Sequence, residues 1–169
     1  MSTTVRVNTA VYAATHVATN LLRSIRQLVR ETGMDTPQLT GQWQTIERGV
    51  ATWLRGGHLR MMVLEVFDPV SDQLIGRFDF AIDYGYYASG DGDLWLDSQA
   101  VGHVVRKAGY RTSDCDYRIV VDTAPGAAEV IGWSSTEFRS TAGFSRHSIG
   151  TTVGGGSLGA SLSYYRRNQ

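Results

Sequence analysis

The chain has 169 residues, 42% of them hydrophobic, and carries sixteen basic against sixteen acidic side chains. That length suits one domain burying roughly 70% of its unfolded surface, so a single independent core is expected. Balanced charge removes the electrostatic footprint of a duplex binder, whose affinity comes largely from Lys and Arg on phosphates, and no direct nucleic-acid partner is expected. The start, Met1 to Thr9, is polar, and no apolar run approaches the length of a signal sequence or a membrane span. The expectation is a cytoplasmic protein without a membrane partner, monomeric when alone. Cys115 stands alone between Asp114 and Asp116. Neighbouring carboxylates raise a thiol pKa, which reads as a structural Cys, neither bridged nor nucleophilic.

From Thr9 the apolar positions Ala14, Val17, Ala18, Leu21, Leu22, Ile25, Leu28 and Val29 recur at alternating three and four spacing, with Arg23, Arg26, Arg30 and Glu31 opposite. This predicts a long amphipathic helix. Gly33 is placed to end it in a left-handed cap, and Asp35-Thr36-Pro37 turns the chain away. A second helix is predicted from about Gln42 to Arg55 on the spacing of Trp43, Ile46, Val50, Trp53 and Leu54, with Thr40 as N-cap and Gly56-Gly57 as the stop. The period then changes. Leu59 to Phe67 reads as a strand, Asp68-Pro69-Val70-Ser71-Asp72 as a turn, and Leu74 to Tyr84 as a second strand. In the second strand Leu74, Phe78, Phe80, Ile82 and Tyr84 share one face and Arg77, Asp79 and Asp83 the other, which predicts a hairpin with one wet face. Gly85 to Asp93 reads as a loop; Asp97 caps a third, short helix with Gly109 after its end, and Tyr117 to Asp122 is another strand, broken by Ala124-Pro125-Gly126.

The tail, Gly126 to Gln169, is different in kind: twenty of its forty-four residues are Gly, Ser or Thr. Ile131, Trp133, Phe138, Phe144, Ile149, Val153, Leu158, Leu162, Tyr164 and Tyr165 punctuate it, which a disordered tail would lack. Its glycines, each costing roughly 1 kcal/mol against Ala in a helix interior, exclude a helix. What remains is extended chain with real burial, a candidate moving part. The alternative is ordinary edge strands joined by glycine turns. The order helix, helix, hairpin, helix, strand, tail reads as α+β, with helices packed on one face of an antiparallel sheet.

Motifs for chemistry are nearly absent. Gly154, Gly156 and Gly159 have the spacing of a dinucleotide fingerprint, but the chain ends before the acidic residue that motif requires. Asp91, Asp93 and Asp97 resemble a calcium loop, yet Trp95 and Gly102 stand where oxygen ligands are needed. His16, His58, His103 and His147 lack zinc-site spacing. No serine elbow, phosphate loop or paired-Cys motif occurs. The expectation is a binding protein with no catalytic residues, cofactor or metal.

One family shares this succession of elements, and the resemblance runs nearly end to end. It is carried by Tyr12 and His16, Trp53-Leu54, Leu64-Glu65-Val66-Phe67-Asp68-Pro69, Arg77-Phe78-Asp79-Phe80 and Asp83-Tyr84-Gly85-Tyr86. It continues through Lys107-Ala108-Gly109, Asp122-Thr123, Gly132-Trp133, Arg139-Ser140-Thr141, Gly150-Thr151-Thr152 and Tyr164-Tyr165-Arg166-Arg167. The chain resembles a bacterial HORMA domain. One departure is Ala142, where similar bacterial sequences carry Asp before the Gly.

The resemblance implies a single HORMA domain over residues 1–169, with a flexible N-terminus (1–8), a core (9–125) and a mobile C-terminal safety belt (126–169). In that family the belt wraps a closure-motif peptide against the sheet. The closed form binds and activates a cGAS-like nucleotidyltransferase (CD-NTase) that makes a cyclic oligonucleotide second messenger in anti-phage defence, and an AAA+ remodelling ATPase opens it. Peptide contacts are then expected from Tyr117, Ile119 and Val121 in the adjoining strand and from Trp133, Phe138, Phe144, Ile149, Val153, Leu158, Leu162 and Tyr164 in the belt. A peptide added as a strand gains main-chain hydrogen bonds while alternate side chains enter pockets. Two other readings stand beside this one: a closure-motif partner that activates no synthase, and a small metal-dependent enzyme using Asp91, Asp93 and a histidine.

Overall fold

The computed structural model describes the backbone of residues 2–85 and 94–169, and within these the side chains from Tyr12 onward. Asp91 and Asp93, the core of the calcium-like motif, lie outside the described residues. In chain order the elements are α1 (Ser2–Glu31), α2 (Pro37–Arg55), β1 (Leu59–Phe67), β2 (Leu74–Asp83), β3 (Trp95–Leu96), α3 (Ser98–Ala108), β4 (Asp116–Thr123), β5 (Phe144–Gly155) and β6 (Leu158–Arg167). The strands form one antiparallel sheet in the order β3-β5-β6-β2-β1-β4. The helices supply the other layer of an α+β fold. Among the described residues no helix is long and apolar enough to cross a membrane.

Val17, Leu21, Leu22, Ile25, Leu28 and Val29 of α1 are fully buried while Arg23, Arg26 and Arg30 face water, as the spacing predicts. Gly33 ends the helix at φ +84°, a conformation that costs glycine nothing. The start differs from the expectation: α1 begins at Ser2, so residues 2–8 are helical rather than an unstructured lead. Once a helix is nucleated each added residue brings one hydrogen bond, and no Gly or Pro stands before Ala10 to stop it growing backward. The start of α2 is also earlier than predicted. Pro37 opens it and Thr36 is the N-cap residue, because proline's fixed φ suits the first turn, where its missing N–H would have no partner.

The β1–β2 hairpin forms in the register that brings Leu64 opposite Phe78 and Glu65 opposite Arg77. Met62, Leu64, Val66, Phe78 and Phe80 are buried among the helices. The other face is wet only at its end, where Asp83 is exposed. Arg77 and Asp79 are 7% and 2% exposed and form a bidentate pair, Nε to Oδ1 at 2.6 Å and Nη2 to Oδ2 at 3.1 Å. Burial pushes the Asp79 carboxyl above its ordinary range, with Arg77 pulling against it. The cover is the tail itself: the rings of Phe138 and Tyr165 lie 4.6 and 4.9 Å from the Arg77 guanidinium.

Asp97 caps α3 by accepting from Ala100 N–H, and Gly109 closes it in the left-handed region, both as read from the sequence. Strand β3 is new. It pairs with β5 opposite Val153 and Gly154, and a Cβ on Gly154 would lie 2.4 Å from the Trp95 indole nitrogen. That glycine is a packing surface. Residues 154–159 join two strands, with no helix following a strand, so the dinucleotide-like spacing serves a hairpin.

Candidate functional site

Strand β4 is the last in the sheet: β1 pairs with one edge, and no strand of the described residues takes the other. An unpaired edge presents a row of N–H and C=O groups, a template for one more strand. Here that edge does not face open solvent. After Thr123 the chain turns at Ala124-Pro125-Gly126, held by Ala124 N–H on His58 O at 2.7 Å, and comes back beside β4. Between strand and returning segment runs a channel of about 830 Å³, lined by Ile119 to Thr123, by Ala127 to Ile131 and Trp133 to Thr136, and by Trp53 of α2. A second cavity of about 410 Å³ continues toward the start of α2, with Leu39, Ile46, Tyr117, Ile119 and Trp133 among its walls.

Helix α2 positions the near side of the roof. Trp53 Nε1 donates to Ala128 O at 2.8 Å, and its ring meets Trp133 edge to face with centroids 5.0 Å apart. Trp133 Nε1 donates to Thr45 O at 3.1 Å. The indole lies over Gly49, where a Cβ would fall 2.3 Å from that nitrogen, so the helix seats the ring only because it has glycine there.

The far side is held by charge. Glu65, on the face of β1 away from the helices, has no exposed side-chain surface and accepts three hydrogen bonds: from Arg118 Nε at 2.6 Å, Arg139 Nη1 at 2.9 Å and Arg139 N–H at 2.8 Å. Arg118 belongs to β4, and its other nitrogens reach the tail at Thr136 Oγ1 (3.0 Å) and Glu137 O (2.5 Å). Arg139 is also clamped to Asp72 at 2.6 Å and lies 3.6 Å above the Phe67 ring. Burial works to lower the Arg139 pKa, but Asp72 and Glu65 outweigh it and hold the guanidinium above its ordinary value. One buried carboxylate therefore ties the edge strand to the segment that crosses over it.

Beyond Arg139 the chain enters β5 and β6, and β6 pairs with β2 on the opposite side of the sheet from β4. The Tyr110 hydroxyl sits in the β2–β6 seam, accepting from Arg77 N–H at 3.1 Å and bonding to Tyr165 O. Burial pushes its pKa far up.

The residues expected to touch a peptide thus divide. Ile119, Val121 and Trp133 line the channel, and Tyr117 lines the adjoining cavity with its hydroxyl on Asp35 O at 2.6 Å. Phe138 and Phe144 face a third cavity beside Arg118, Arg139 and Arg167. Ile149, Val153, Leu158, Leu162 and Tyr164 are not brought to the channel. They lie on β5 and β6, of which β6 is separated from β4 by β2 and β1, three strand spacings or about 14 Å. There Val153, Leu158, Leu162 and Tyr164 belong to the core and Ile149 packs against it, with Tyr164 stacked on His147 at 5.0 Å. Sequence reasoning assigned no role at the site to Trp53, Glu65, Arg118 or Arg139. The available signal was Glu65, a lone carboxylate inside the apolar run Met61 to Phe67.

Among the described residues no group of three or more His, Cys, Asp or Glu could hold a metal. The Cys115 thiol is pushed up by burial first, then by Asp68 and Asp114.

No curated protein matches this sequence. Solved structures share its fold at low identity. A chain of the mitotic checkpoint complex is 7% identical with a TM-score of 0.74, covering 91% of this chain and 98% of that one. C. elegans HTP-1 bound to the HIM-3 closure motif is 10% identical with a TM-score of 0.65, covering 89% and 88%. The E. coli MS115-1 CdnC:HORMA-deltaN complex contributes a chain 13% identical, with a TM-score of 0.63 and coverage of 94% and 90%. The bacterial HORMA domain 2 family matches residues 2–168, almost the whole chain, and the protein therefore belongs to the bacterial HORMA domains.

Proposed function

We propose that this protein is a peptide-gated adaptor: an extended closure-motif peptide adds to the free edge of β4 inside the channel, and the belt over residues 126–169 closes around it. The observation that carries this reading is an unpaired strand edge enclosed, rather than covered, by the returning chain. Its main-chain groups need partners, and a peptide strand supplies them while the belt bars its sideways escape. HTP-1, a protein of the same fold, is bound to a closure motif.

In the closed form the protein binds and activates a CD-NTase by contact, supplying no catalytic group, and the cyclic oligonucleotide product signals in anti-phage defence in the cytoplasm. Support comes from the family and from the E. coli HORMA protein in complex with CdnC. Release requires lifting the Trp133 and Arg139 contacts and separating β6 from β2, a sub-global unfolding event and hence slow. An AAA+ remodelling ATPase overcomes that barrier. The test is cyclic-oligonucleotide production by purified synthase with this protein, with and without a bound peptide. Stimulation only by the peptide-loaded form is expected; equal stimulation by both forms would reject gating.

A further inference from the structure

The sheet has a second open edge, at its other end. Strand β3 is only two residues long and pairs with Val153 and Gly154, and Asp97 N–H then donates to Thr152 O at 2.7 Å. From Phe144 to Thr151 no strand of the described residues lies on the outer side of β5. The inner side pairs with β6, and Asn168 N–H donates to Gly143 O at 2.8 Å. In an antiparallel ladder, hydrogen-bonded pairs alternate with pairs that turn their main-chain groups away. Counted from Gly143, Ser145 and His147 bond inward to β6, while Arg146 and Ser148 hold their N–H and C=O outward. Unlike β4 this stretch is bare: Ser145, Arg146, His147 and Ser148 are all exposed.

Charge says what the edge takes. The stretch Phe144–Arg167 holds Arg146, Arg166 and Arg167 and no Asp or Glu, so in a chain of zero net charge this hairpin is a positive region set against a negative remainder. None of the three arginines is in an ion pair among the described residues. Arg146 lies across from Tyr165, on the face of the sheet away from the helices. The carboxylate whose field it feels there, Asp79, is already held by Arg77 in a bidentate pair. A second copy would bring its own arginines to the seam, so the cations that oppose self-pairing favour an acidic strand.

We infer that residues 145–148 of β5 are a docking edge for a partner protein, whose short extended segment, acidic at alternate positions, adds there as a seventh strand. Its main chain bonds Arg146 and Ser148, and its carboxylates meet Arg146 on the face away from the helices. The edge lies on the opposite side of the sheet from the channel and needs nothing from it.

The probe is a synthetic, end-capped decapeptide of alternating Asp and Val, labelled for fluorescence anisotropy and titrated onto the full chain, with its Lys-Val counterpart as control. The acidic peptide should bind, more weakly as salt rises, and the basic one should not. In hydrogen exchange it should slow the amides of residues 145–149 and leave those of 119–123 unchanged. Arg146→Glu, at an exposed position, keeps the fold and should weaken binding about tenfold or more. Two further peptides carry N-methyl groups on every Asp or on every Val. One should lose binding and the other keep it, since only every second residue of an added strand turns its N–H to β5. Protection at 119–123 instead, unchanged binding by the Arg146→Glu variant, equal affinity of the two methylated peptides, or no binding up to millimolar peptide would each overturn the docking edge. A concentration-dependent dimer of the chain alone, with residues 145–149 protected, would make a second copy the occupant and overturn it too.

Discussion

The two halves of the belt are held by different physics. Residues 124–143 form no strand and lie across the molecule on a few anchors: Trp133 on α2, and Arg118 and Arg139 around Glu65. Residues 144–167 are a hairpin knitted to β2, with Val153, Ala160 and Leu162 fully buried. The anchors of the first half can be lifted one at a time, whereas the second half shares the protein's main core. A segment that guards a channel is best fastened by few, polar, reversible contacts, and a segment that carries its end is best buried. Hydrogen exchange is therefore expected to find the irregular half opening before the hairpin.

That contrast can be broken or sharpened by substitution. The largest effect is expected from Leu162→Ala, which empties a fully buried site and should lower global stability by about 2–5 kcal/mol in urea denaturation. A local loss confined to β6 would show that the hairpin is not part of the main core. Next is Glu65→Gln, which keeps the shape but removes the charge that Arg118 and Arg139 share. Both arginines reach solvent, so the fold should survive. Hydrogen exchange should report opening of residues 134–143 made easier by about 1–3 kcal/mol, with β5 and β6 unchanged. Equal protection there would mean that the charged clamp does not hold the crossing. Tyr110→Phe leaves the Arg77 N–H without its hydroxyl partner and should cost about 1–2 kcal/mol, read as faster exchange along the β2–β6 seam rather than in the channel roof. The smallest effect is on chemistry: with its thiol pKa raised, Cys115 should react with a thiol reagent at neutral pH no faster than a model thiol, and Cys115→Ser should leave peptide binding unchanged.

Much of the frame was legible because it is local. The spacing of Val17, Leu21 and Leu28 encodes α1, Asp97 and Gly109 bracket α3, and Leu59 to Phe67 is a strand at both of the ends predicted. Where the reading fell short, the deciding contact was distant. The face carrying Arg77 and Asp79 looks wet in β2 alone, and only the returning Phe138 and Tyr165 make it an interior. The strand β3 is too short to signal itself and exists because β5 offers an edge. Tail anchors of one composition went to two places, since apolar character says that Leu162 and Trp133 are buried but not against what.

The sequence by itself determined the helices, the hairpin, the lack of catalytic motifs and the presence of an extended, anchored tail, because periodicity, caps and turn residues act within a few positions. Only the tertiary structure decided that the tail's first half roofs the free edge of β4, that its second half completes the sheet on the far side, and that Glu65 joins the two arginines. Those arrangements are pairings between residues far apart in the chain, such as Glu65 with Arg139, and no local preference encodes which distant partner a strand edge or a buried charge will meet.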